Sequence, residues 1–271
     1  TTHPRTGECS WQESLFLGCF APDPTSSYQL AACGAKMARV TAGMDMEAKW
    51  RRSALSAWDW AEQHGDAVLD SLPEENIAKV RKEAQRARNL AGVELLWLTS
   101  EARFQEAFAQ TTVLEPERGR LLEQEDALFA YARLPGGLGD ADMKARARRA
   151  VLTLADRSLE FMRGNAFRIA TAEPNLPPMG YVGYFSVPGM ISRSLPRAYA
   201  LTGKKEYLEA TILSCQFAAG ANPDNTCLTS GLGPNPVKSV LHIDSRNSAQ
   251  NVPPGIRSEE RRVGKECATG C

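Results

Sequence analysis

The segment His242-Ile-Asp-Ser-Arg246 brings an imidazole, a carboxylate and a guanidinium together between two loop-like stretches, Thr229-Ser-Gly-Leu-Gly233 and Pro253-Pro-Gly-Ile256. An imidazole can donate or accept a hydrogen bond to a hydroxyl. A guanidinium only donates, through a fork of N–H groups, and it can also hold a neighbouring carboxylate ionised. Asp244 either orients Arg246 or closes an Asx turn. On the residues alone, His242 has both a functional and a purely structural reading.

Acid–base chemistry needs paired carboxyl groups, and two spacings invite inspection. Asp140-Ala-Asp142 lies at the start of a predicted helix, where a cap and a helix-dipole partner account for it. Asp66 and Asp70 have helical spacing, but Gly65 and Ser71-Leu-Pro73 place them on a short, exposed, solvated segment. His3 lies near one end of the sequence, and His64 is expected at a helix C-terminus, where partial positive charge is favoured. The seven cysteines (Cys9, Cys19, Cys33, Cys215, Cys227, Cys267 and Cys271) contain no CxxC pair and no zinc-like spacing. They read as small buried hydrophobes with room for one disulfide.

Aromatic residues supply another kind of chemistry. Glu173-Pro-Asn-Leu-Pro-Pro-Met-Gly-Tyr-Val-Gly-Tyr184 is rich in Gly, Pro and Tyr, as a long functional loop on a helical scaffold would be. Tyr181 and Tyr184 can stack on the faces of a neutral saccharide. Plugging the mouth of the scaffold is the other reading.

The elements that must position these groups are helical. Ser26-Ser27 is placed to cap a helix through Tyr28, Leu30, Ala31, Cys33, Met37 and Val40. A second helix carries Trp50, Leu55, Trp58 and Ala61 and is expected to stop at Gly65. Asn89–Leu98, a long amphipathic segment after Asp140, Leu195–Leu201 and Tyr207–Ala219 continue the series. No alternating strand pattern of useful length occurs, so the fold class is all-α. One internal repeat is visible: Leu98-Thr-Ser100 with Phe104, Glu106 and Ala107 matches Leu201-Thr-Gly203 with Tyr207, Glu209 and Ala210. Each copy reads as a helix end, a tight turn and a new helix. Their separation suits a ring of helical hairpins better than an open solenoid, though repetition alone is compatible with both.

Bulk properties narrow the partners. Lysine plus arginine equals aspartate plus glutamate at 32 each. The resulting absence of a strong field argues against nucleic acid or an anionic membrane and favours a neutral ligand. No run approaches the roughly 20 apolar residues of a membrane span. Thr1-Thr-His-Pro-Arg5 lacks the apolar core of a leader. The stretch from Arg257 to Cys271 is highly charged and without apolar periodicity. Back-translated, it looks like a sequencing adapter read in frame, so residues 1–256 are expected to be a partial domain and 257–271 a non-native tail.

Ala219-Gly-Ala-Asn-Pro223, Thr229-Ser-Gly-Leu-Gly233, Leu241-His-Ile-Asp-Ser-Arg246 and Pro253-Pro-Gly-Ile256 together resemble glycoside hydrolase family 9. Ala198-Tyr-Ala-Leu-Thr-Gly203 with Tyr207 and Leu208 resembles the helix–turn–helix preceding that loop. Tyr28–Ala61, ending in Ala57-Trp-Asp-Trp-Ala61, is similar to the helix pair following the catalytic aspartates. The chain departs from the pattern in having Ala219 for the usual Leu and in the wider spacing of His242 and Arg246. The likeness is specific at the C-terminal end and weak in the middle.

That resemblance implies an (α/α)6 toroid, incomplete at both ends, belonging to an inverting, endoglucanase-like hydrolase of β-1,4-glucan. The alternatives are an exo-acting cellobiosidase or glucosaminidase of the same family, or a non-catalytic glycan-binding toroid. It further implies that His242, on the active-site loop, and Arg246 contact sugar hydroxyls. The Asp-x-x-Asp base is expected upstream of the first helix and the acid Glu downstream of the His–Arg loop; both lie outside this chain. A secreted or periplasmic protein is implied, with a β-glucan as partner and no obligate protein partner. No cofactor is needed for the chemistry. Relatives often bind structural calcium, for which Thr99-Ser-Glu101 is a loose candidate.

Overall fold

The computed structural model describes residues 22–115, 118–171, 192–238, 240 and 242–256, with the backbone alone at 118–120, 243, 246 and 247. Within them the chain is helical: α1 (Pro24–Val40), α2 (Glu47–Asp70), α3 (Glu74–Thr99), α4 (Ala102–Thr111), α5 (Arg118–Glu123), α6 (Glu125–Ala132), α7 (Ala141–Arg163), α8 (Ser194–Thr202), α9 (Lys205–Ala219) and α10 (Ile243–Ser248). The described residues contain no strand, only an isolated bridge between Cys227 and Pro236.

Two helix boundaries differ from the sequence expectation. Asp23, not Ser26-Ser27, caps α1: its Oδ1 accepts the Ser26 amide at 2.9 Å, and Pro24 occupies the first turn. Proline is at home there because its missing N–H has no helical partner to lose. Gly65 does not end α2. It is buried in mid-helix, where an added Cβ would stand 3.1 Å from Pro24 Cβ. Glycine here permits close approach, and the helix continues to Asp70. His64 therefore lies inside α2, its ring stacked on Trp60 at 5.3 Å. Asp66 and Asp70 fall on the last turns of that helix and both pair with Arg81, at 3.0 and 2.8 Å.

The described residues divide into two compact units. The first holds α1–α6, α7 up to Asp156, and Arg197–Gly203. Here α1 packs on α2 and α3, and α3 packs on α4 and α6. Small residues set the spacing: Ala31, Ala32, Gly34, Ala35 and Ala38 are all buried on α1. A Cβ on Gly34 would meet Ala54 Cβ at 3.0 Å. An aromatic row crosses this core, with Trp58 edge-on to Tyr28 at 5.4 Å and to Phe104 at 5.2 Å. Such pairs add about 0.5–1.5 kcal/mol beyond the area they bury.

The second unit holds α7 from Arg157, α9, α10 and the loops around them. Ile169, Phe217 and Leu228 form its apolar cluster, flanked by Phe161 and Ala218. Phe217, near the end of α9, anchors the polypeptide just before the glycine-rich loops begin.

The internal repeat is realised in the backbone. Ser100 and Gly203 both occupy the left-handed region, with φ of 62° and 71°, immediately after a helix end. Thr99 and Thr202 each return a hydroxyl hydrogen bond to the carbonyl four residues earlier, at 2.9 and 2.7 Å. Phe104 and Tyr207 are then both buried at the same offset in the following helix.

Candidate functional site

The loop assembly after α9 is built by short polar side chains. Asn222 closes the Ala219–Pro223 corner: its amide nitrogen donates to the carbonyls of Phe217 and Thr226, both at 2.8 Å. Its oxygen accepts from the amides of Asp224 and Thr226 at 3.2 Å. Cys227 then pairs with the returning segment, its amide donating to Asn235 O at 2.9 Å and its carbonyl accepting from Val237 at 2.8 Å. This closes the Thr229–Gly233 loop at its base.

Ser230 joins that loop to Pro253-Pro-Gly-Ile256. Its hydroxyl donates to Pro253 O at 2.6 Å and accepts the Ile256 amide at 3.0 Å. Its backbone carbonyl accepts from Gly255 at 2.8 Å, and its amide donates to Ile256 O at 2.9 Å. Gly231 is required beside it. Its φ is +67°, and a Cβ there would lie 2.9 Å from Pro254 Cβ. Both segments singled out in the sequence are thus parts of one hydrogen-bonded scaffold.

Between them sits His242. It does not lie in an open loop: it is the N-cap of α10, with extended backbone (φ −122°, ψ 105°). Its Nδ1 accepts the Ser245 amide at 3.2 Å and lies 2.7 Å from Ser245 Oγ. Ser245 is buried, and its Oγ also approaches Asn251 O at 3.3 Å. The helix closes at Ala249, in the left-handed region, with Gln250 N donating to Ser245 O at 3.0 Å. The wider His–Arg spacing has a local cause: residues 242 and 246 are separated by about one helical turn. Arg246 lies in α10. Asp244 belongs to that helix, and its backbone carbonyl accepts from Ser248 Oγ at 2.6 Å. Tyr181 and Tyr184 lie outside the described residues, as does the tail 257–271.

The carboxylates considered for acid–base chemistry are occupied elsewhere. Asp140 Oδ1 accepts the Met143 amide at 2.7 Å, capping α7. Asp142 faces Arg146 at 3.7 Å, one turn on. In the Thr99–Glu101 turn, Thr99 Oγ1 accepts the Glu101 amide at 3.2 Å, and the Glu101 carboxylate pairs with Arg103 at 2.8 Å. A calcium ion needs six to eight converging oxygen ligands, and this turn does not fit one. The described residues contain no cluster of three His, Cys, Asp or Glu placed to hold a metal. Of the cysteines described, Cys227 is buried and Cys33 and Cys215 are exposed on helix surfaces, and all three are free. The expectation of uniform burial fails because α1 and α9 turn those positions outward.

Two cavities open in the other unit, of about 320 and 430 Å³. Arg81, Lys82, Arg86 and Glu123 line the first; Glu62, Arg88, Arg103 and Glu106 line the second. Several of these charges pair across the cavity walls, as Lys82 and Arg86 do on Glu123 and Arg88 on Glu62.

Sequence reasoning found His242 but not the residues that hold it. Ser230, Ser245 and Asn222 are small polar residues in loops, and nothing in their type separates them from solvated neighbours. The Gly231–Pro254 approach is equally invisible until the two segments are brought together.

An all-α arrangement of helical hairpins with Gly/Pro-rich loops following α9 is a known glycosidase scaffold, the six-hairpin toroid. The fold of this chain is that of family 9 glycoside hydrolases. A metagenome-derived glycoside hydrolase family 9 endoglucanase superposes with a TM-score of 0.65 at 20% identity, covering 87% of this chain and 43% of that one. The family 9 endoglucanase J30 gives 0.65 at 21% identity, covering 86% and 44%. A Bacteroides ovatus GH9 structure gives 0.59 at 18% identity, covering 88% and 46%. The chain therefore spans less than half the length of these solved structures. Neither a protein-family profile nor a curated protein sequence matches it.

Proposed function

We propose that this chain is part of an inverting glycoside hydrolase that cleaves β-1,4-glucan in an endoglucanase-like manner. The observation that carries the reading is the fold likeness to family 9 endoglucanases over most of the chain. His242, the N-cap of α10, adds a residue suited to the task. An inverting hydrolase places two carboxyl groups about 6.5–9.5 Å apart, one activating water and the other protonating the leaving oxygen. In this reading both belong to sequence outside residues 1–256, and His242 with Arg246 binds sugar hydroxyls near the scissile bond. Tyr181 and Tyr184 stack on the glucan. The protein is secreted or periplasmic, where such a polymer is met.

Reading the gene across both flanks tests this directly. An Asp-x-x-Asp upstream and a Glu downstream are expected; a full-length protein without them is a glycan binder instead. The 271-residue chain alone is expected to release no reducing sugar from soluble cellulose. Full-length His242→Ala is expected to lose most turnover with an unchanged far-UV CD spectrum. Clear hydrolysis by the isolated chain would overturn the placement of the carboxylates.

A further inference from the structure

We propose that Ser245 is a positioning residue that locks His242 as the Nε2–H tautomer, so that the imidazole serves a ligand as a hydrogen-bond donor and not as a base. The contact with a sugar rests on the function proposed above; the tautomer does not.

A hydroxyl can donate or accept, so the 2.7 Å contact between Ser245 Oγ and His242 Nδ1 is ambiguous by itself. The Ser245 backbone N–H cannot reverse, and it points at the same Nδ1 from 3.2 Å. Nδ1 must therefore present its lone pair, because an Nδ1–H would face a fixed N–H. That settles the hydroxyl too: it donates toward Nδ1, the nearer of its two partners, and not toward Asn251 O at 3.3 Å. A neutral imidazole whose Nδ1 is unprotonated carries its proton on Nε2. That nitrogen makes no hydrogen bond among the described residues.

The chemical consequence is definite. The one basic lone pair of the ring is turned into its own helix, where it replaces an N-cap oxygen. The opposite edge of the ring offers only a donor. Such a ring orients a hydroxyl oxygen of a neutral saccharide and does not take a proton from water. This matches an inverting mechanism in which carboxylates do the proton transfer.

His64 supplies an internal contrast. Its Nδ1 lies 3.0 Å from the Trp60 carbonyl, an obligate acceptor, so its proton sits on Nδ1. The chain has three histidines in all, His3, His64 and His242. Long-range proton–nitrogen spectra of the ¹⁵N-histidine-labelled chain can therefore assign each by single substitution.

We expect the Nε2–H pattern for His242 and the Nδ1–H pattern for His64. In Ser245→Ala, only the longer amide contact remains, and His242 should move to the exchange-averaged pattern of a solvated imidazole; Ser245→Thr should restore it. An Nδ1–H pattern at His242, or an Ser245→Ala spectrum unchanged from the parent, overturns the proposal whatever the activity. In the full-length enzyme, His242→Asn keeps the capping acceptor but lacks the Nε2 donor. It should keep the parent melting curve and lose about tenfold in turnover, the scale of one hydrogen bond. Parent-like turnover in His242→Asn, with the tautomer as expected, would overturn the sugar contact and leave the role of Ser245 standing.

Discussion

Glu62 on α2 and Arg88 on α3 meet through two hydrogen bonds, Nε to Oε1 at 2.6 Å and Nη2 to Oε2 at 2.9 Å. Tyr28 on α1 donates to the same Oε1 at 2.6 Å, and Arg88 reaches on to the Ala107 carbonyl of α4 at 2.9 Å. One carboxylate thus gathers groups from neighbouring helices at the rim of the Tyr28–Trp58–Phe104 row.

The pair predicts an acid-sensitive contribution to stability. Burial pushes the Glu62 carboxyl up, but the hydrogen bonds from Arg88 and Tyr28 and the charge of Arg88 outweigh it and hold it below the usual range. A lowered folded-state value means that the ionised carboxylate stabilises the fold above the unfolded value, about 4.3. That contribution is lost as pH falls below it. Glu62→Gln should lower the urea midpoint at pH 7 and flatten its decline between about pH 5 and pH 3. Some slope will remain, since Glu123 is likewise held low by Lys82 and Arg86 against the effect of its burial. An Glu62→Gln variant with the parent pH slope would remove Glu62 from this account.

These cross-helix charges mark where sequence reading stopped. Helical periodicity, the Asp140 cap and the Leu-Thr-Ser/Gly repeat were legible because each is encoded within a few adjacent residues. Glu94 and Glu125 look like ordinary helix-surface glutamates in sequence, and only the approach of Arg39 and Arg197 from other helices accounts for their burial. Gly65 misled because a glycine read locally signals a stop, while its role is set by Pro24, far away in sequence. Short helices α5 and α6 were missed because each is too short to establish a period.

Arg39 and Glu94 provide a sharper test of such a pair. The Glu94 side chain is 3% exposed and is bound by Arg39, with Lys36 at 3.3 Å. Arg39 also donates to the Glu94 carbonyl at 2.8 Å and lies over the Trp97 ring at 4.5 Å. Removing one partner of a buried pair strands a charge, typically at about 3–5 kcal/mol. Arg39→Leu alone should therefore unfold at markedly lower urea. The Arg39→Leu/Glu94→Leu double variant should recover most of the loss, because both charges leave together. Additive losses in the double variant would show that the pair is not coupled.

Ser230 and Gly231 predict the integrity of the loop scaffold. Ser230→Ala leaves the Pro253 carbonyl and the Ile256 amide each without their hydroxyl partner, about 0.5–1.5 kcal/mol per bond. Gly231→Ala should be worse, since the left-handed backbone costs an L residue about 1–2 kcal/mol and the Cβ must also displace Pro254. Both variants should be cut faster near residues 249–256 in limited proteolysis, with Gly231→Ala the faster. Equal resistance to the parent would mean that Ser230 does not hold this segment.

The two repeat copies differ at one informative position. Ser100 and Gly203 have nearly the same backbone, φ 62° and 71°, and each donates its amide to the carbonyl four residues earlier at 2.8 Å. Ser100 bears the left-handed strain that Gly203 avoids, about 1–2 kcal/mol. Glycine loses more backbone freedom on folding, about 0.5–1 kcal/mol, which offsets part of the gain. Ser100 is exposed, and its neighbour Thr99 supplies the side-chain bonds of this turn, so Ser100→Gly removes no buried partner. The substitution should raise the urea midpoint slightly, by roughly 0.5 kcal/mol of stability. Gly203→Ser should lower it by a similar amount. A destabilised Ser100→Gly would mean that the serine side chain has an independent role in the turn, and the two copies would no longer be equivalent.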